Sequence, residues 1–126
     1  MSSINVDLFC EIYVSTSLDR EALTELLYDF GKNAVRHDFF KVDTNEISMR
    51  VCKNDSYDPQ KDSFVNFKFY LEVNAFIGVD QPYFLLALAK LMVFLKKQGW
   101  DAVAACDWET ELAALVEDEM KRPATE

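Results

Sequence analysis

His37 is the sole imidazole of the sequence, set between Arg36 and Asp38. Catalysis by it would need a carboxylate or a nucleophile delivered by folding, and no motif marks one. A histidine at the surface or at a strand edge is the preferred reading. Cys10, Cys52 and Cys106 are the three candidate thiol nucleophiles. With a single histidine in the chain, a lowered thiol pKa has no support. None of the three stands in a C-x-x-C or other metal-ligand spacing, and three cannot all pair within one chain. Small buried thiols in a reducing cytoplasm are therefore expected. Asp107, Glu109 and Glu111 could supply the paired carboxylates of a glycosidase. Acids at a helix start also complement its dipole, and that structural use is preferred. The three glycines each adjoin a helix end, leaving none to cradle a phosphate. The expectation is a protein with no catalytic residue, no metal and no cofactor.

The elements that must position these residues are legible in the apolar spacing. Leu8 to Val14 alternates as a strand, with Leu8, Cys10, Ile12 and Val14 facing one way. Thr16-Ser17 offers an N-cap to a helix whose Ala22, Leu23, Leu26, Leu27 and Phe30 share a face, with Gly31 at its end. Val35 to Val42 reads as a strand, followed by turn residues Asp43-Thr44-Asn45. Glu46 to Cys52 alternates again, Ile47, Met49 and Val51 inward and Ser48, Arg50 and Cys52 outward. Residues 35–52 could be a hairpin or one bent strand. Lys53 to Ser63 is a polar loop without the residue order of an EF-hand.

Phe64 to Ala75 carries the longest two-residue alternation, which puts one face on a core and the other toward water or a partner. A second helix follows, with Pro82 in its first turn and Gly99 at its stop. Its segment Tyr83 to Leu95 is apolar except for Lys90, yet far short of the ~20 residues that span a bilayer. Leu86 and Val93 fall on its polar side. Trp100 to Cys106 reads as a last strand and Asp107 to Met120 as a third helix, with Leu112, Leu115 and Val116 on one stripe.

A chain of 126 residues fits one domain, expected over 1–120, with a frayed tail at 121–126. The order β-α-β-β-β-α-β plus a terminal helix satisfies its apolar faces if two helices cover one side of a mostly antiparallel sheet. That is an α+β, two-layer, ferredoxin-like sandwich with an extra hairpin strand.

Charge narrows the partners. With 22 acids against 13 bases the formal charge is -9, which opposes nucleic acid and an anionic membrane surface. The N-terminal Met1 to Asp7 lacks a basic start and an apolar run, so no secretory signal is expected. Between Asp101 and Glu119 stand seven acids, no base, and Trp108. Such a patch steers a basic partner, and an aromatic can anchor it; a solubilising helix with Trp108 in the core explains the same residues. The open sheet face, with Phe9, Tyr13, Arg50, Lys68 and Tyr70 beside Glu11 and Glu72, is a second candidate surface. It is similar to the base-stacking sheet of RNA-recognition modules, but the charge opposes that use and their signature motif has no match.

The segment from Trp100 to Leu112 resembles the last strand and acidic turn of small cytoplasmic immunity proteins of bacterial polymorphic-toxin systems. The resemblance covers about a tenth of the chain and rests on strand, acidic-aromatic turn and size. It implies a stoichiometric inhibitor of a cognate toxin with a basic surface. The leading contact set is Asp107, Trp108, Glu109 and Glu111, with Asp55, Tyr57 and Asp58 as a second set. The other class in play is a homo-oligomeric ferredoxin-like protein, a possible homodimer, with a ligand or active site between subunits; Leu86, Val93 and the open sheet face argue for it.

Overall fold

A computed structural model describes residues 4–31, 35–37, 40–55 and 67–122. In chain order the elements are β1 (Ile4–Val14), α1 (Arg20–Phe30), β2 (Val35–His37), β3 (Lys41–Asp43), β4 (Ile47–Lys53), β5 (Phe69–Phe76), α2 (Gln81–Lys97), β6 (Ala102–Ala105) and α3 (Glu109–Lys121). The strands form one six-stranded sheet in the order β2-β3-β4-β5-β1-β6, every neighbouring pair antiparallel. The protein is thus α+β, with its helices layered on one face of an antiparallel sheet.

Two-residue alternation builds the core side of that sheet. Cys10, Ile12 and Val14 of β1, Ile47, Met49 and Val51 of β4, and Leu71, Val73 and Ala75 of β5 are all buried. Leu23 and Leu27 of α1 pack over the β3–β4 half; Phe84, Leu88, Leu91 and Leu95 of α2 cover the β1–β6 half. Each such side chain contributes roughly 1.5–3 kcal/mol through burial. Leu112 and Val116 seat α3 against α2. Val93, which helical spacing assigns to the polar side, is buried in the fold. Leu86 remains half-buried.

Local chemistry moves several boundaries. The cap of α1 is Asp19, not Thr16-Ser17: its carboxylate accepts from Ala22 N–H at 2.8 Å, while Thr16 Oγ1 accepts from Leu18 N–H at 3.1 Å in the turn before. β1 starts earlier than Leu8, because its register shifts between Asn5 and Phe9 and Asn74 Nδ2 donates to the carbonyls of Asn5 and Leu8. Val35 to Val42 is not one strand but the hairpin β2–β3, and β3 pairs in turn with β4. Ser48 faces away from the helices as expected, yet is buried between its register partners Asp43 and Asn74. β5 runs Phe69–Phe76, with Phe67 and Lys68 ahead of it, and 64–66 lie outside the described residues. β6 and α3 are each trimmed at the turn Cys106-Asp107-Trp108, and α3 continues to Lys121, past the expected end at Met120. Residues 123–126 of the expected tail lie outside the described residues.

Candidate functional site

The turn from β6 into α3 gathers the leading contact set. Cys106 N–H donates to Glu109 Oε2 at 3.2 Å, and Leu112 N–H to the Trp108 carbonyl at 2.8 Å, so the helix starts with its acid bent back over the turn. Asp107, Glu109 and Glu111 are exposed around this helix start, where the dipole favours negative charge. Trp108 differs from them: it is half-buried, edge-on to Phe84 of α2 at 6.0 Å between centroids. Its ring is divided between the core and the surface.

Beside this turn lies a cleft of about 430 Å³. Its floor is Met92 of α2, Ala102 and Ala104 of β6, and Leu112 and Val116 of α3, and Met120 of α3 also lines it. Glu109 and Glu117 stand among its polar lining with Lys96. Met120 is 46% exposed, an apolar side chain presented at the opening. Glu117 also pairs with Lys121 at 3.2 Å, and Glu119 with Arg122 at 3.0 Å. The Glu117–Lys121 pair is exposed on both sides and contributes little energy, and the two pairs leave the corner predominantly acidic.

The second contact set is not brought to this place. Asp55 lies just past β4 and lines a separate cleft of about 670 Å³ with Arg20, Phe40, Lys53 and Lys68 among others. Tyr57 and Asp58 lie outside the described residues. Lys68, expected on the open sheet face, also lines this second cleft, with its ammonium 5.7 Å from the Phe69 ring centroid.

On the open face the strand registers set Tyr13 opposite Tyr70 and Glu11 opposite Glu72, with Arg50 and Cys52 on β4 continuing the rows. The tyrosine rings lie 5.4 Å apart, and Tyr13 Oη donates to Glu11 Oε1 at 3.2 Å. Burial, followed by the Glu72 carboxylate, pushes the Cys52 thiol up to about 11. Burial and the neighbouring Cys52, Glu72 and Glu11 push Tyr70 up to about 12, and burial and Glu11 raise Tyr13. Cys52 therefore stays a protonated thiol at neutral pH, the weak form as a nucleophile.

Among the described residues, no group of three or more His, Cys, Asp and Glu side chains is arranged to hold a metal ion. Nor, among them, is any helix long and apolar enough to cross a membrane. Comparison with known proteins gives no match: no family model fits the chain, and no curated protein or solved structure is similar to it.

The acids of this site are visible in the sequence as composition. The cleft is not, because α2, β6 and α3 contribute to it from separate stretches. The signal that could have found it is Met120, one turn beyond Val116 on the stripe of Leu112, where an apolar residue outlasts its own helix-packing role.

Proposed function

We propose that this protein is an immunity-type binding protein that neutralises a cognate bacterial toxin domain by stoichiometric association and performs no chemistry itself. The observation that carries this reading is the apolar cleft edged by Glu109 and Glu117 and continuous with the exposed acids of the β6–α3 turn. Negative charge at the rim draws in a basic surface and raises the rate of encounter. The cleft then takes an apolar side chain of the partner, and burial of that anchor sets the lifetime of the complex. Asp107, Glu109 and Glu111 are the steering residues, and Trp108 presents the outer part of its ring beside them. Asp55 stands with Lys53 and Lys68, so the second set has no comparable excess of acid. The setting that suits this role is the cytoplasm, where a toxin would meet its inhibitor.

The fold reading that accompanies it is ferredoxin-like. Four consecutive strands run β4-β5-β1-β6 with α1 and α2 as crossovers, and β2–β3 is then an added hairpin at the opposite edge from β6. A homo-oligomer with an inter-subunit site is the second reading, favoured by the half-exposed Tyr13–Tyr70 pair on the open sheet face.

The test uses the product of the adjacent upstream gene, since toxin and antidote are expected to be encoded side by side. Glu109→Lys with Glu111→Lys should slow association about tenfold at low salt and far less at high salt. Met120→Asp should shorten the complex's lifetime. An association rate indifferent to both charge and salt overturns the steering, and a stable dimer that binds no such product favours the second reading.

A further inference from the structure

The pairing of β1 with β6 runs Val14↔Ala102, Tyr13↔Val103, Ile12↔Ala104 and Glu11↔Ala105. The next residues in that register are Cys10 and Cys106. Ser15 N–H donates to the Asp101 carbonyl at 2.9 Å, which makes that pair a hydrogen-bonded one. Cys106 stands one residue past the end of β6; continued by that one step, the alternation makes Cys10 and Cys106 a pair without mutual backbone bonds, the type whose side chains approach closest and whose α-carbons are typically about 4.5 Å apart. Disulfides accept α-carbons at that separation. The backbone agrees, because Cys106 N–H is turned to Glu109 and takes no part in the ladder.

Both side chains lie on the helix side of the sheet. Cys10 is wholly buried, while Cys106 is half-buried and packed against the same core. Burial first, and then the adjoining Cys106 side chain, raise the Cys10 thiol far above the usual thiol range. Cys52 sits on the other face of the sheet, two strands away from β1, and cannot reach either.

We propose that Cys10 and Cys106 are a redox couple that closes to a reversible cross-strand disulfide. The oxidant is hydrogen peroxide. The half-buried Cys106 gives up its thiol proton and attacks one peroxide oxygen: an S–O bond forms, the O–O bond breaks, and the departing hydroxide takes up the Cys106 proton as water. Cys10 then attacks the Cys106 sulfur; the S–S bond forms, the S–O bond breaks, and the departing hydroxide takes the Cys10 proton as a second water. Two thiols are oxidised by two electrons and one peroxide is reduced to two waters. A small thiol reverses the reaction by exchange.

The bond would tie β1 to Cys106, the residue just before Asp107, and the Cys106 N–H itself donates to Glu109. The disulfide thus regulates the proposed partner site, a consequence that rests on that functional reading while the thiol chemistry does not.

The experiment treats the full chain with hydrogen peroxide, blocks remaining thiols by alkylation, and maps peptides by mass with and without dithiothreitol. The expected product is a single intramolecular Cys10–Cys106 disulfide, released by dithiothreitol, retained in Cys52→Ser and lost in Cys106→Ser. Oxidation should also raise the urea midpoint of the wild-type chain, since the link constrains the unfolded state. Over-oxidised Cys106 beside an unreacted Cys10 thiol overturns the proposal, as does any disulfide that includes Cys52. In a second arm, reduced and oxidised protein are compared for association with the upstream-gene product. A changed rate supports regulation; equal rates reject it. Binding by neither form counts against the functional reading and leaves the mapped disulfide to stand or fall alone.

Discussion

Trp108 meets Phe84 edge-to-face, with ring planes 86° apart, and this contact joins the start of α3 to the first turn of α2. The indole is the N-terminal cap residue of α3, although it makes no side-chain cap bond. Its contribution is packing. Such a ring pair adds roughly 0.5–1.5 kcal/mol beyond the area it buries. Trp108→Ala should therefore lower stability by about 2–3 kcal/mol, less than full core removal because the ring is only half-buried. Trp108→Phe should cost about 1 kcal/mol. Urea denaturation measures both. A Trp108→Ala midpoint within error of wild type would mean that the indole belongs wholly to the surface.

Wherever one face of a strand is buried, the sequence is enough to read it, as Ile47, Met49 and Val51 do on β4 and Leu71, Val73 and Ala75 on β5. The β2–β3 hairpin escapes such reading because Phe40 takes the left-handed conformation at φ 62 where a glycine would have announced a turn. Thr16, Ser17 and Asp19 can all cap a helix, so their residue types leave the start open, and in the fold Asp19 is the cap. The acids of the candidate site are local, so composition reveals them. The cleft and the Cys10–Cys106 juxtaposition depend on register and on α3 docking, neither of which leaves a local pattern.

Two glycines that look alike in sequence should respond oppositely to alanine. Gly31 closes α1 at φ -77, an ordinary right-handed geometry. Gly99 follows α2 at φ +89, with open space where a Cβ would sit. Gly31→Ala should leave stability unchanged or raise it by up to about 1 kcal/mol, by restricting the unfolded chain. Gly99→Ala meets no clash, so its cost is backbone strain alone, about 1–2 kcal/mol. Thermal melts of the two variants give the comparison, and equal shifts for both would contradict the assigned backbone angles.

Alkaline pH should destabilise the fold through the open sheet face. The Cys52 thiol moves from 9.0 in the unfolded chain to about 11 in the fold, chiefly by burial. Below its unfolded value both states hold the proton and the stability is fully present. Between the two values the unfolded chain releases the proton while the fold retains it, so stability falls as pH rises. Tyr70 extends the decline over the range from 10.0 to about 12. Urea midpoints across this window should drop more steeply for wild type than for Cys52→Ser. Parallel curves would show that Cys52 ionises equally easily in both states.

Arg20 and Phe40 offer the sharpest test of how the β2–β3 hairpin is held. Arg20 Nε donates to the Val51 carbonyl at 2.9 Å, and its guanidinium lies 4.1 Å from the Phe40 ring centroid. Val51 N–H in turn donates to the Phe40 carbonyl at 2.9 Å, so one cation clamps both partners of the strained turn. A lysine ammonium cannot supply a planar stack and a directed Nε–H bond at once. Arg20→Lys should cost about 1 kcal/mol. Phe40→Asn suits the left-handed backbone but removes the ring, so its own effect should be smaller than that of Phe40→Ala. The decisive measurement is the double-mutant cycle of Arg20→Lys with Phe40→Ala, for which a coupling of about 0.5–1 kcal/mol is expected. Strict additivity would show that the ring and the guanidinium merely lie close, and that the turn is held by its backbone bonds alone.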